Sequence, residues 1–115
     1  MENDRRRTRR IPLQSRVQLR FGREGFEGET IDLSPTGVLV KARRILPAGS
    51  PVRVSLYLSG RMRPVLATGL VVRILDGNQV GIQFDRLALT ESERLQEFLL
   101  PLVVEETARS SATVL

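Results

Sequence analysis

Alternation of apolar and polar residues with a period of two constrains the fold of this chain most strongly. Between residues 13 and 21 the apolar residues have one parity and four polar residues have the other: Leu13, Val17, Leu19 and Phe21 against Gln14, Arg16, Gln18 and Arg20. This pattern predicts a strand with one buried face and one face in water. The same alternation recurs over 52–58 and 80–84, so the chain is predicted to be mainly β.

Turn signals separate these segments. Gly22 to Gly28 is predicted to connect two strands, and 32–37 is predicted to be a tight turn followed by a strand over 38–40. Loops or turns are also predicted at 45–50, at Ser59-Gly60 and at 76–78. From Val65 to Ile74 both parities are mostly apolar, which predicts a strand that is bent or covered on both faces. Six short strands joined in this way favour a small antiparallel β-barrel.

The C-terminal part has helical periodicity instead. Thr90 and Glu93 have the spacing of a capping box, so we expect a helix to begin near Glu91. Pro101 is expected to end or kink this helix, since proline removes a backbone donor. The apolar face of the helix consists of Leu95, Phe98, Leu99 and Leu102.

Three segments follow from these patterns. Residues 1–10 are predicted to be a flexible basic arm, and residues 11–104 to be the barrel with its helix. Residues 105–115 are small and polar, and they are predicted to be a disordered tail.

Composition excludes several classes of function. The 115 residues suffice for one domain with one core, and they include neither cysteine nor histidine. Thiolate chemistry, disulfides and a zinc site are therefore excluded, and no catalytic constellation is visible, so an enzyme is not expected. No stretch approaches the roughly 20 apolar residues that cross a bilayer. We expect a cytoplasmic protein without membrane insertion.

Arginine dominates the basic residues. Five of the first ten residues are arginine, Lys41 is the only lysine, and the net charge is +5. The planar guanidinium group donates two parallel hydrogen bonds to phosphate oxygens or to O6 and N7 of guanine. Taken alone, such a segment is also typical of a solvated basic tail.

A second motif is Asp32-Leu33-Ser34-Pro35-Thr36-Gly37. Its structural interpretation is a turn in which Asp32 and Ser34 bond nearby amides and Gly37 adopts a positive φ. Its functional interpretation is a guanine site, because a carboxylate accepts from N1–H and N2–H₂ and a residue without Cβ lets a ligand approach the backbone. A small barrel can bring the turn and the arginines to one rim. Together they then suit a ligand with guanine and phosphate groups.

The two motifs together carry a resemblance to a known family. Arg6-x-x-x-Arg10 followed by Asp32-x-Ser34-x-x-Gly37 resembles the RxxxR and (D/N)xSxxG signature of PilZ domains. Arg5-x-x-x-Arg9 also fits, but Arg10 leads directly into the first strand as the last arginine of the family motif does. The strand over 80–84 and the helix after it are similar to the closing elements of the family.

The resemblance implies a receptor for cyclic di-GMP (c-di-GMP), the bacterial second messenger. It implies a six-stranded PilZ-type β-barrel, with an N-terminal arm that wraps around the ligand, which often binds as an intercalated pair of molecules. Arg5 occupies the position just before the motif, which in the family influences how many ligand molecules bind, and an arginine there is compatible with the paired form. No metal or further cofactor is implied. The implied ligand-binding residues are Arg5, Arg6, Arg10, Asp32, Ser34 and Gly37.

Ligand binding would order the arm, and the changed surface would be read by an unidentified downstream protein. Two alternatives remain open: a basic barrel that binds nucleic acid, and a PilZ-like adaptor that contacts proteins without binding the nucleotide. No tryptophan is present to support a guanine ring. Arg73 could stack on the ring instead, or it could be an exposed charge at a strand end.

Overall fold

The computed structural model of the chain describes residues 10–44, 46–59, 63–76 and 78–114. Within these ranges the chain forms seven strands followed by one helix. The elements are β1 (Ile11–Pro12), β2 (Arg16–Phe21), β3 (Glu24–Ser34), β4 (Gly37–Ala42), β5 (Pro51–Tyr57), β6 (Val65–Leu75), β7 (Gln79–Arg86) and α1 (Leu89–Val114).

Six of the strands close into an antiparallel barrel. The hydrogen-bonded order is β3-β2-β5-β6-β7-β4, and β4 pairs with β3 to complete the circle. The short β1 is an additional strand that pairs with the end of β3 beside β2. The predicted six-stranded barrel with a C-terminal helix is confirmed.

The period-two pattern places the core inside this barrel. Val17 and Leu19 are fully buried, and their neighbours Arg16, Gln18 and Arg20 are exposed, as the alternation predicted. Leu95 and Leu99 of α1 belong to the same core cluster, so the helix is packed against the barrel. Hydrophobic burial is the main stabilising term for such an arrangement.

β3 is longer than the sequence predicted. The segment from Gly22 to Gly28 was expected to be a connection, but only Gly22 and Arg23 form the turn, and the strand begins at Glu24. Gly25 and Phe26 pair with β2, so the glycine-rich segment is part of the sheet. The long β3 then pairs with β2 along its first half, with β1 near its end, and with β4 on its other edge.

β6 is not covered on both faces. Its inward residues are buried up to Val71, whereas Leu66 is 54% exposed and Val72 is 46% exposed on the outside. Because apolar residues occur on both faces of β6, those on the outer face form an exposed apolar surface. The register with β7 shifts twice along β6, which marks bulges in the strand.

α1 differs from the predicted helix at both ends. It begins at Leu89, so Thr90 lies inside it, and the Ser92 amide donates to the Ala88 carbonyl at 2.8 Å. Pro101 does not end it. The helix runs to Val114, through most of the segment that the sequence predicted to be a disordered tail. The sequence after Pro101 contains no glycine or proline, and each residue added to an existing helix gains a hydrogen bond.

The predicted arm lies almost entirely outside the described residues, which begin at Arg10. Gly60 and Gly77, at the centres of two predicted turns, also lie outside them. No helix in the described part of the chain combines the length and the apolar character needed to cross a membrane.

Leu95→Ala is expected to destabilise the domain strongly. Leu95 is fully buried in the core, and truncation of a buried leucine lowers the free energy of unfolding by about 2–5 kcal/mol. Urea denaturation measures this loss. The matched control is Leu100→Ala on the same helix, where the side chain is 63% exposed and we expect a change within about 0.5 kcal/mol. Equal losses in the two variants would contradict the packing of α1.

Candidate functional site

Pairing of β1 with β3 brings the first arginine of the described chain to the second sequence motif. Ile11 lies opposite Leu33, and Pro12 lies opposite Asp32. Arg10 precedes β1 directly, and its Nη1 lies 3.1 Å from Oδ1 of Asp32. The arginine side chain is 52% exposed and the aspartate side chain is 21% exposed. The structure thus places parts of both motifs in contact on the outside of the barrel.

The turn after Asp32 is tighter than the sequence suggested. β3 continues to Ser34 and β4 begins at Gly37, so only Pro35 and Thr36 form the turn. Ser34 is 3% exposed, and its Oγ accepts from the Thr36 amide at 3.2 Å and donates to the Gly37 carbonyl at 3.4 Å. The hydroxyl of Ser34 therefore holds the turn together.

Gly37 is required by close packing between strands. It does not have the positive φ that the sequence suggested. A Cβ atom at this position would lie 2.5 Å from the carbonyl oxygen of Ile82 on β7, which is shorter than any normal contact. The absence of a side chain therefore lets β7 approach the turn, and the Phe84 amide donates to the Thr36 carbonyl at 2.8 Å.

Asp32 belongs to a row of paired residues that crosses four strands of the barrel. Asp32 pairs with Leu39 on β4, and Leu39 pairs with Gly81 on β7. Gly81 in turn pairs with Arg73 on β6. The neighbours of Leu39 and Gly81 along their strands are core residues, so these two residues face outward. We call this set the Asp32 row. It extends about 14 Å at the usual strand spacing.

Arg73 is the residue at the far end of this row. A Cβ atom on Gly81 would lie 3.4 Å from Cβ and 3.5 Å from Nε of Arg73, so the arginine side chain lies across the glycine on the outer face. From the sequence, Arg73 was either a stacking group or an exposed charge at a strand end. Its place opposite Gly81 depends on the bulge between Val71 and Arg73, which shifts the pairing by one residue and cannot be read from the alternation.

The remaining predicted site residues, Arg5 and Arg6, lie outside the described residues. Within the described ranges no three carboxylates cluster in a way that could hold a metal ion. The described site consists of one carboxylate and two guanidinium groups around a surface of Leu39 and Gly81. Such a surface can accept hydrogen bonds at one end and bind anions or ring faces at the other.

Comparison with known protein families identifies the family of the chain. A family model described as the PilZ domain matches residues 4–100. The chain belongs to the PilZ domain family. A search of curated protein sequences found no significant match.

Solved structures share the fold of this PilZ domain. The PilZ domain of CeSA from a cellulose-synthesizing bacterium is 21% identical with a TM-score of 0.63, and the alignment covers 79% of this chain and 95% of that one. The PilZ domain of YcgR from Escherichia coli, with c-di-GMP, is 19% identical with a TM-score of 0.68, covering 96% and 99%. The inhibitor of motility MotI/DgrA from Bacillus subtilis is 15% identical with a TM-score of 0.71, covering 88% and 51%. The chain thus spans nearly all of the two isolated domains and about half of MotI/DgrA.

Gly37→Ala is expected to destabilise this PilZ domain by about 1–3 kcal/mol, because the added methyl group collides with the Ile82 carbonyl. Urea denaturation provides the measurement. Gly25→Ala is the matched control, since the nearest atom to its added Cβ is 3.8 Å away. A Gly37 variant as stable as the control would show that β4 and β7 are not so closely packed.

Proposed function

We propose that this PilZ domain is a receptor for c-di-GMP. The observation that carries the proposal is the contact between Arg10 and Asp32, which joins the arginine motif to the (D/N)xSxxG motif on one outer surface. Solved relatives with c-di-GMP support it: the PilZ domain of YcgR from Escherichia coli, MrkH from K. pneumonia and PlzA from Borreliella burgdorferi.

The ion pair between Arg10 and Asp32 suits a site that opens for a ligand. An exposed pair of this kind contributes only about 0–1 kcal/mol, so a ligand can replace either partner at little cost. Guanine offers N1–H and N2–H₂ donors to the Asp32 carboxylate. Arg10 is then free to bind phosphate or the O6/N7 edge of guanine. Each charge-assisted hydrogen bond contributes about 1.5–3 kcal/mol.

Ser34 and Gly37 are proposed to act by shaping the site. The Ser34 hydroxyl bonds within the turn, and Gly37 permits close strand packing beneath it. Both residues therefore fix the position of the β3 backbone that presents Asp32. This differs from the direct contacts that the sequence suggested for them.

The Asp32 row supplies room for the rest of the nucleotide. Leu39 is only 8% exposed and Gly81 has no side chain. No side chain of these two residues therefore projects far from the middle of the row, and this part of the surface is partly apolar. The backbone of Arg73 lies about 14 Å from that of Asp32 at the usual strand spacing, and its side chain extends back across Gly81. We propose that Arg73 binds phosphate or stacks on a guanine ring.

Arg5 and Arg6 are proposed to complete the site from the N-terminal arm. The ligand would neutralise the clustered arginines and order the arm over the Asp32 row, either as one molecule or as an intercalated pair. The altered surface would then be recognised by a downstream protein in the cytoplasm. This is a receiver that binds and signals, without a catalytic step.

Calorimetric titration with c-di-GMP tests the proposal. We expect saturable binding by the full chain, and a loss of affinity of at least about tenfold in Arg10→Ala and in Asp32→Ala. The matched controls are Arg44→Ala and Glu24→Ala, which remove the partners of another exposed ion pair and should leave the affinity unchanged. Absence of binding in a folded, ligand-free sample would overturn the proposal.

Arg73→Ala is expected to weaken c-di-GMP binding by about three- to tenfold, because it removes one phosphate or stacking contact at the end of the row. The same titration measures the change. Arg63→Ala, which removes an exposed arginine before β6, is the control and should have no effect. Equal affinities for the Arg73 variant and the wild type would place the ligand away from this end of the row.

A further inference from the structure

A second strongly charged surface lies on β2 and β5 and on other positions of β6 and β7. Arg20 on β2 pairs with Arg53 on β5, Arg53 pairs with Thr68 on β6, and Thr68 pairs with Arg86 on β7. Three arginines thus share one line across four adjacent strands. We call Arg20, Arg53 and Arg86 the arginine row.

These arginines line one groove on the outer surface of the barrel. The groove has a volume of about 740 Å³, and no acidic or aromatic residue lines it. Among the described residues, no carboxylate lies within ion-pair distance of the three arginines. Asp85, beside the row, accepts a hydrogen bond from the hydroxyl of Thr68 at 2.9 Å.

Such a row does not serve stability. Like charges on directly paired positions, as in Arg20 opposite Arg53, destabilise a sheet. The other exposed strand arginine on β2, Arg16, has a different environment: it lies 3.7 Å from Glu27 and its guanidinium lies 4.2 Å from the centre of the Tyr57 ring. The contrast indicates that the arginine row is suited to an external anion.

We propose that the arginine row is the docking surface for an acidic amphipathic helix of a partner protein. The four strands that it crosses are each paired on both edges, so a partner cannot add a strand there and must bind through side chains. A helix lying along the row has a pitch of 5.4 Å, close to the strand spacing of about 4.8 Å. Carboxylates at positions i, i+4 and i+11 of that helix would meet the three guanidinium groups.

The edge of the groove supplies the apolar part of the surface. Leu66 is 54% exposed and lies two residues from Thr68 on the same face of β6. Leu87 and Ala88 line the same groove. An acidic helix with leucine or a similar residue beside its carboxylates would cover this side chain as well.

The residues that line the groove also disfavour nucleic acid as the occupant, because none of them is aromatic. Single-stranded nucleic acid binds where bases stack on free aromatic rings. The nearest outward ring on β5 is Tyr57, which is covered by Arg16 and donates from its hydroxyl to Gln18 Oε1 at 3.2 Å. The proposal does not depend on c-di-GMP binding, since the arginine row and the Asp32 row share no residue.

Fluorescence anisotropy tests the proposal on the full chain. The probe is a labelled 18-residue alanine-based helical peptide with glutamates at i, i+4 and i+11 and a flanking leucine. We expect at least tenfold weaker binding to R20Q/R53Q/R86Q and less than twofold weakening with R23Q/R43Q/R63Q, which removes the same charge from other exposed positions. A scrambled peptide of equal charge is expected to bind more weakly than the probe.

Three results of the binding measurements would overturn the proposal. They are no saturable binding of the peptide, equal weakening in both triple variants, and tighter binding of a labelled 20-nucleotide single strand that is lost in R20Q/R53Q/R86Q. Thermal denaturation separates a structural role from a docking role. Relief of like-charge repulsion should raise the melting temperature of R20Q/R53Q/R86Q by about 2–4 °C at low salt, and less at high salt. A lower melting temperature than that of R23Q/R43Q/R63Q would make the arginines structural and would also contradict the proposal.

Discussion

The pairing of β3 with three other strands is the constraint on which the rest of the structure depends. One edge of β3 pairs with β2 and then with β1, and the other edge pairs with β4, which closes the barrel. Because β1 follows Arg10 directly, the pairing of β1 with β3 also places Arg10 next to Asp32. The fold and the candidate site are therefore consequences of the same hydrogen-bonded strand.

The barrel presents two outer surfaces with different chemistry. The Asp32 row combines a carboxylate, an apolar centre without projecting side chains and the guanidinium group of Arg73, and Arg10 lies beside Asp32, which together suit a nucleotide with base and phosphate groups. The arginine row has three guanidinium groups around Thr68, whose hydroxyl is bonded to the single carboxylate of Asp85 beside it, which suits an anionic partner without a base. The proposed receptor needs both an input and an output, and the two surfaces share β6 and β7 but have no residue in common.

Much of the fold follows from the sequence alone, because Val17 and Leu19 alternate with polar residues and strand alternation is a local property. The extent of β3 does not follow, since Gly25 and Gly28 look like a loop until their partners on β2 are known. Arg73 reaches the Asp32 row only through a bulge and through pairing with Gly81, and such register is set by the whole barrel. The family motif identified Asp32, Ser34 and Gly37, but their separate physical roles required the geometry of the turn.

The most direct test of the central claim is an NMR titration of the ¹⁵N-labelled full chain with c-di-GMP. We expect the largest chemical-shift changes at Asp32, Leu39, Gly81 and Arg73, and small changes at Arg20 and Arg53. This result would place the nucleotide on the Asp32 row and leave the arginine row free for a partner. Largest changes at Arg20 and Arg53, or no changes with a folded protein, would contradict the account.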